Sequence, residues 1–250
     1  PSMANDCLSG LILTAFLAKK IQKIKPKWSY RFVFVPETIG AVAYCYLNEK
    51  KMKNIDTGLV ITTVGGSGKL GYKKSWDNDH QINKDIEKVF KSMKINFITY
   101  PFSIRGSDER QYSSQGFKIN VASITKDKYF EYPQYHTSLD NLKFVNGKNI
   151  NLTLKVYFKL IKEIEKWEIF DVKMKNCEYM LSKRDLYSKI GGSYKELSNG
   201  YSFYDLIQWV LYLSNGKRTV DQISSILGTT KKRIKFISLL LSKKNLLRKI

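Results

Sequence analysis

Four short runs rich in β-branched and aromatic residues, at 30–35, 59–64, 96–100 and 119–124, alternate with stretches whose apolar residues recur at helical spacing. Runs this continuous, bounded by turn residues, read as strands buried on both faces, and such strands need helices to cover them. Helices are expected at 5–21, where Leu8, Leu11, Ile12, Phe16 and Ile21 follow a capping Asn5 or Asp6, and again at 38–51, 85–93 and 149–167. Gly10 weakens the first of these slightly. The alternation predicts an α/β domain with a mixed sheet and helices on both faces, ending near residue 170.

The rest of the chain is of another kind. Residues 171–200 carry Gly191-Gly192 and show no periodicity, so they read as a connecting arm. Residues 201–250 show three helical patterns, at 203–213, 219–227 and 230–247, separated by Asn215-Gly216 and Gly228. Thr219 and either Thr229 or Thr230 stand where N-caps belong. This predicts a small all-α, winged-helix-like domain, without an evident β wing.

A chain of 250 residues allows one large or two modest domains. Three scattered cysteines, Cys7, Cys45 and Cys177, do not make a disulfide framework and suit a reducing, cytoplasmic compartment. No apolar run approaches the roughly 18 residues of a membrane span. The opening Pro-Ser-Met-Ala-Asn-Asp has no targeting pattern and reads as a piece lacking its upstream part. With 43 Lys+Arg against 22 Asp+Glu, the formal charge is +21. Phosphate-bearing partners are therefore a legitimate class, but the lysines are spread along the chain, which favours a solvated surface over a nucleic-acid patch. The dense exception is Lys231, Lys232, Arg233 and Lys235, then Lys243, Lys244, Arg248 and Lys249.

Only two histidines occur. His80 reads as a surface residue at a polar helix start. His136 follows Glu131-Tyr-Pro-Gln-Tyr and precedes Thr-Ser-Leu-Asp140, with aromatic shielding and carboxylates on both sides. A neutral imidazole so placed suits zinc. Asp6, Glu37 and Ser107-Asp108-Glu109 occupy loops that an α/β sheet brings to one crevice, which would make a hydrolytic metal site. The plainer account makes Asp6 a cap, Glu37 a surface residue and Asp108 a turn residue, and spacing alone favours it slightly. Gly65-Gly66-Ser67-Gly68 lacks the Gly-Lys-Ser/Thr of a phosphate loop.

Four ordered stretches resemble the zinc exopeptidases typified by bacterial leucyl aminopeptidases and glutamate carboxypeptidases: Asn5-Asp6-Cys-Leu-Ser9-Gly10, Glu37-Thr38-Ile39-Gly40, Gly106-Ser107-Asp108-Glu109 and His136-Thr137-Ser-Leu-Asp140. Residues 1–10, 35–40, 106–112 and 131–141 are more closely similar to a subfamily of aminopeptidase-like proteins found with polysaccharide-biosynthesis genes, whose members also end in a winged-helix-like domain.

The resemblance implies a zinc-exopeptidase-like fold whose N-terminal part is missing here, with Asp6 and His136 as zinc ligands and Glu37 as the base that takes a proton from metal-bound water. Asp108 would support the site, or it or Glu109 would replace a ligand. Thr38 and Thr62 stand where the better-known enzymes carry further ligands, Gly66 where the subfamily tends to carry Asp, and the remaining His would lie just before Pro1. Tyr132 and Tyr135 would either shape the pocket rim or simply pack. The implied activity is metal-dependent hydrolysis of an amide in a peptide or other small substrate. The alternative is a weakly active or inactive relative serving as a regulatory, nucleic-acid-binding or assembly module, with a homo-oligomer compatible with either.

Overall fold

The computed structural model describes residues 3–187 and 201–250, which fall into two compact units, Pro1–Lys166 and Trp167–Ile250. In the first unit a π-helical turn, Ala4–Ser9, leads into α1 (Gly10–Gln22). An extended segment comes next, then α2 (Ile39–Leu47), α3 (Glu49–Met52), β1 (Thr57–Val60), β2 (Gly71–Lys73) and α4 (Gln81–Ser92). The unit is completed by β3 (Ile98–Tyr100), α5 (Glu109–Tyr112), β4 (Asn120–Thr125) and α6 (Gly147–Ile164).

The four strands form one mixed sheet in the order β1-β4-β2-β3, with β1 parallel to β4, β2 parallel to β3, and β2 antiparallel to β4. Helices α1 and α4 both pack on α6. Leu13 and Leu17, Ile86 and Phe90, and Val156 and Leu160 are buried at the i, i+4 spacing that gives each helix an apolar stripe. The Tyr157 hydroxyl donates to the Ile124 carbonyl at 2.8 Å and accepts from the Ile124 amide at 3.0 Å, which ties α6 to the middle of the sheet. A smaller cluster forms around Cys45, Met52, Ile119 and Val121. Gly10 has a packing reason rather than a helical one: a Cβ there would lie 2.0 Å from the Ile61 carbonyl, so only glycine lets α1 start this close to the chain after β1.

Two expectations change. Residues 30–35 enter no sheet among the described residues, and Phe34 is half exposed; strand-forming composition makes a strand only where a neighbour offers a ladder. His80 is buried rather than superficial: its Nδ1 accepts the Ile82 amide as the N-cap of α4, and its Nε2 lies 3.0 Å from Asp56.

The second unit holds β5 (Ile169–Val172), a short 3-10 turn (Ser182–Arg184), α7 (Phe203–Leu213), β6 (Asn215–Thr219), α8 (Val220–Ile226), α9 (Lys231–Lys243) and β7 (Leu247–Lys249). Ser202 and Thr219 make capping boxes with Asp205 and Gln222, and Thr230 accepts the Arg233 amide. The domain is therefore not all-α: β6, β5 and β7 form an antiparallel sheet in that order. Strands β6 and β7, short and carrying Lys and Arg, give no run of apolar residues to read. Leu181 and Leu186 join this unit's core, so the described part of the expected arm packs, while Gly191-Gly192 lies outside the described residues. Among the described residues, no helix is long and apolar enough to cross a membrane.

Candidate active site

The turn that carries Asp6 is held from below. Asp140, fully buried, accepts the Asn5 amide at 2.6 Å and the Asp6 amide at 2.9 Å. The buried Asn5 side chain accepts from the amides of Gly65 and Gly66, while the Ser9 hydroxyl accepts from that of Val64. These bonds consume the amides of the glycine stretch, and Gly68 donates its own to Asp127, so the loop is a partner of the Asp6 turn and not a phosphate cradle. A Cβ on Gly66 would lie 2.0 Å from Asp127 Oδ2 and 2.6 Å from the Phe144 ring. The Asp127 carboxylate thus takes the space a side chain at position 66 would need.

Asp6 projects from a non-helical kink, φ −104° and ψ 94°, and the Asp6–Cys7 peptide is cis. Its Oδ1 accepts from the Thr62 hydroxyl at 3.3 Å, and its Oδ2 lies 3.2 Å from His136 Nε2. His136 adopts a left-handed backbone, φ 56°, and its ring stacks on Tyr135 with centroids 3.9 Å apart. Tyr132 in turn stacks on Phe144 and meets Tyr135 edge-on, so both tyrosines pack, and Tyr135 also orients the imidazole.

Glu37 is exposed at the start of α2, and its Oε1 accepts from the Ser107 hydroxyl. Next to it, Asp108 Oδ1 accepts the Thr38 amide at 2.8 Å. The Ser107-Asp108 loop is anchored underneath by Glu109, fully buried and paired at 2.7 Å with the equally buried Lys73 of β2. Neither Lys73 nor Asp127 stands out in the sequence: one is a lysine among 43 Lys+Arg, the other comes after a strand without a motif.

The charges act as one group. Burial raises the Asp6 carboxyl above its ordinary value and the Glu37 charge adds to this, while His136 and the Thr62 hydroxyl oppose it. Asp108 is raised by burial, with the Thr38 amide opposing and the charges of Glu37 and Glu109 adding. Burial also raises the Cys7 thiol, helped by Asp6, Glu37 and Asp108, and Tyr135 is pushed up to about 12 by burial together with Asp6 and Glu37. Mutually repelling carboxylates beside an imidazole favour a cation. Asp6 and His136 are donors of the right kind for zinc, but two do not make a site. Among the described residues no three His, Cys, Asp or Glu side chains stand close enough to hold an ion, so these residues by themselves do not fit the group.

In the second unit half of the basic cluster is paired: Lys231 with Asp221, Lys235 and Lys249 with Glu168, and Arg248 with Asp171.

A family model described as a domain of unknown function, DUF4910, matches residues 1–167. A Clostridium acetobutylicum protein, provisionally named a polysaccharide biosynthesis protein with an aminopeptidase-like domain, is 40% identical over 237 residues, covering 94% of this chain and 53% of that protein. A crystal structure from the same organism, provisionally described as a peptidase, matches with TM-score 0.66 and 36% identity over 100% of this chain and 55% of its own. A zinc aminopeptidase from Bacillus subtilis matches with TM-score 0.55 and 16% identity over 65% of this chain and 42% of its own, a likeness of fold. The chain spans about half the length of the Clostridium relatives.

Proposed function

Because the chain belongs to the DUF4910 family and has an aminopeptidase-like fold, we propose that it serves a peptidase-like hydrolase that cleaves an amide bond. The observation that carries this is the Glu37 carboxylate, exposed, held by Ser107 and close enough to act electrostatically on Asp6, itself 3.2 Å from His136. Glu37 is the general base: it takes a proton from the water that attacks the amide carbonyl and returns it to the departing amine. Asp108 acts as a positioning residue, holding the Thr38 amide so that Glu37 keeps its aim.

Zinc is the proposed metal, supported by the zinc aminopeptidase of like fold and by the pair Asp6–His136. At least one further donor has to join that pair. The substrate class is a peptide with a free N-terminus; an amide on an amino sugar is the variant suggested by the name of the Clostridium relative. A cytoplasmic setting is part of this reading, from the three free cysteines. Duplex DNA is a weaker partner, because half of the basic cluster already faces carboxylates.

The test is metal analysis of the intact protein beside its His136→Ala variant, then hydrolysis of aminoacyl anilides, dipeptides and acetamido sugars. Zinc lost in His136→Ala, and turnover reduced at least about 100-fold in Glu37→Gln with zinc retained, would support both roles. Absence of zinc after reloading, or full turnover in Glu37→Gln, would overturn them.

A further inference from the structure

One cation stands beside the carboxylates of the candidate site. Pro101 follows the end of β3, and the Ile104 amide donates to the Pro101 carbonyl at 3.3 Å, closing a turn that delivers Arg105 just before the Ser107-Asp108 loop. A second turn, 128–131, meets it. There the Glu131 amide donates to the Lys128 carbonyl at 3.1 Å, and Phe130 takes φ 64° at a position where glycine is usual. The ring of Phe130 is 56% exposed, and Arg105 Cζ lies over it, 5.3 Å from the centroid. The aromatic contact continues inward: the Phe130 centroid is 4.8 Å from that of Tyr135 and 6.5 Å from that of His136. Among the described residues no carboxylate pairs with Arg105. Glu131 is taken by Lys128, Glu37 by Ser107 and Asp108 by the Thr38 amide. The arginine charge nevertheless reaches the site, since it opposes the rise that Asp6 and Glu37 impose on Tyr135.

We propose that Arg105 is a specificity-determining residue that binds a substrate carboxylate one or two residues beyond the scissile amide, on the side of the departing amine. The preferred substrates are then short peptides that carry a carboxylate there, at the chain end or on a side chain, since either presents the same two oxygens. A guanidinium resting on an aromatic face is fixed in place and keeps N–H groups for two parallel bonds to a carboxylate. Through Phe130 the guanidinium and the imidazole are separated by roughly three residue lengths of extended chain, at about 3.5 Å each. Once the reach of the two side chains is allowed for, one or two residues fit between the amide and the carboxylate. Charge agrees with this: Asp6, Glu37 and Asp108 lie at one end and an unpaired cation at the other, a polarity complementary to a peptide with an amine at one end and a carboxylate at the other. The reaction rests on the hydrolase reading above, whereas the carboxylate site can be tested by binding alone.

The experiment titrates Leu-Leu, Leu-Leu amide and Leu-Glu amide calorimetrically into the intact protein carrying Glu37→Gln, so that turnover does not intrude. Leu-Leu is expected to bind at least about tenfold more tightly than its amide. Adding Arg105→Met, at an exposed position, should remove that difference while leaving the affinity for Leu-Leu amide unchanged, and Arg105→Lys should restore part of it. Tight, Arg105-dependent binding of Leu-Glu amide supports a site that also accepts a side-chain carboxylate, and weak binding of it supports one confined to the chain end. Equal affinity for Leu-Leu and its amide, an equal loss for all three peptides in Arg105→Met, or binding of none of them would overturn the proposal. With Glu37 in place, Arg105→Met should raise KM for Leu-Leu at least about tenfold, with kcat little changed and aminoacyl anilides unaffected. Arg105-dependent discrimination without turnover of any substrate would sink the hydrolase reading and leave the carboxylate site standing; turnover without discrimination would do the reverse.

Discussion

Replacing Lys73 by Met tests how the Ser107-Asp108 loop is held. The ammonium and the Glu109 carboxylate are 3% and 0% exposed, 2.7 Å apart, and the second Glu109 oxygen has no partner. Methionine keeps most of the volume and removes the charge, so the fully buried Glu109 carboxyl is left without its counter-ion. Losing one member of such a pair costs about 3–5 kcal/mol, a large part of the roughly 5–15 kcal/mol that holds a domain together. The double variant Lys73→Met, Glu109→Leu removes both charges and should return to within about 1–2 kcal/mol of the parent, a coupling that a lost packing contact would not give. The two units can unfold separately, so one global transition is not a sound readout. Hydrogen exchange at residues 71–73 and 109–112, followed against urea at pH 7, reads the affected region directly. A loss under about 1 kcal/mol in Lys73→Met, or a double variant as weak as the sum of its parts, would refute the view that this buried pair anchors the loop.

Gly66→Ala should destabilise the first unit by roughly 3 kcal/mol, because its Cβ falls 2.0 Å from Asp127 Oδ2; unchanged hydrogen-exchange protection across the first unit would mean that Asp127 does not sit there. Glu168→Gln addresses the second unit. Burial raises the Glu168 carboxyl, but Lys235, Lys249 and Lys231 outweigh it and hold the group below its ordinary value. Stability from a lowered carboxyl is present above the unfolded value and is lost as pH falls through the folded one. Because Lys235 and Lys249 are about half exposed, the variant should lose only about 0.5–1 kcal/mol at pH 7. The difference from the parent should shrink in high salt and vanish in acid; a difference that grows on acidification would contradict the ion pairs.

The four stretches that meet at the candidate site were legible through their family resemblance, because each is a short local run; spacing alone slightly favoured the plainer account of Asp6, Glu37 and Asp108. Their supports were not. Asp127 reaches Asn5 across 122 positions, and Lys73 reaches Glu109 across 36, each as a single residue with no pattern around it. Residues 30–35 failed in the opposite way, since their composition is right for a strand and among the described residues no ladder meets them. The same limit applies to β6 and β7, where pairing with β5 makes strands of segments holding Lys217, Arg218, Arg248 and Lys249.

Backbone strain marks the site independently of its charges. Thr38 has φ 58° and ψ −72°, and the Ile39 amide donates to the Glu37 carbonyl at 2.7 Å, so Thr38 is the centre of a γ-turn of the rare, strained hand. For a β-branched residue this conformation costs about 1–3 kcal/mol, and it persists because Asp108 holds the Thr38 amide. The turn aims Glu37 toward Ser107 while starting α2. Glycine adopts such angles without strain but gives up about 0.5–1 kcal/mol more in unfolded-state entropy, so Thr38→Gly should be neutral or stabilising by up to about 2 kcal/mol. The gain would come at the expense of aim, because a glycine no longer restricts the chain to this one turn. Turnover, where measurable, should therefore fall although the fold holds or strengthens. A Thr38→Gly variant destabilised by more than about 1 kcal/mol would show that the Thr38 side chain contributes packing that outweighs the strain, and the turn could then not be read as strain kept for the orientation of Glu37.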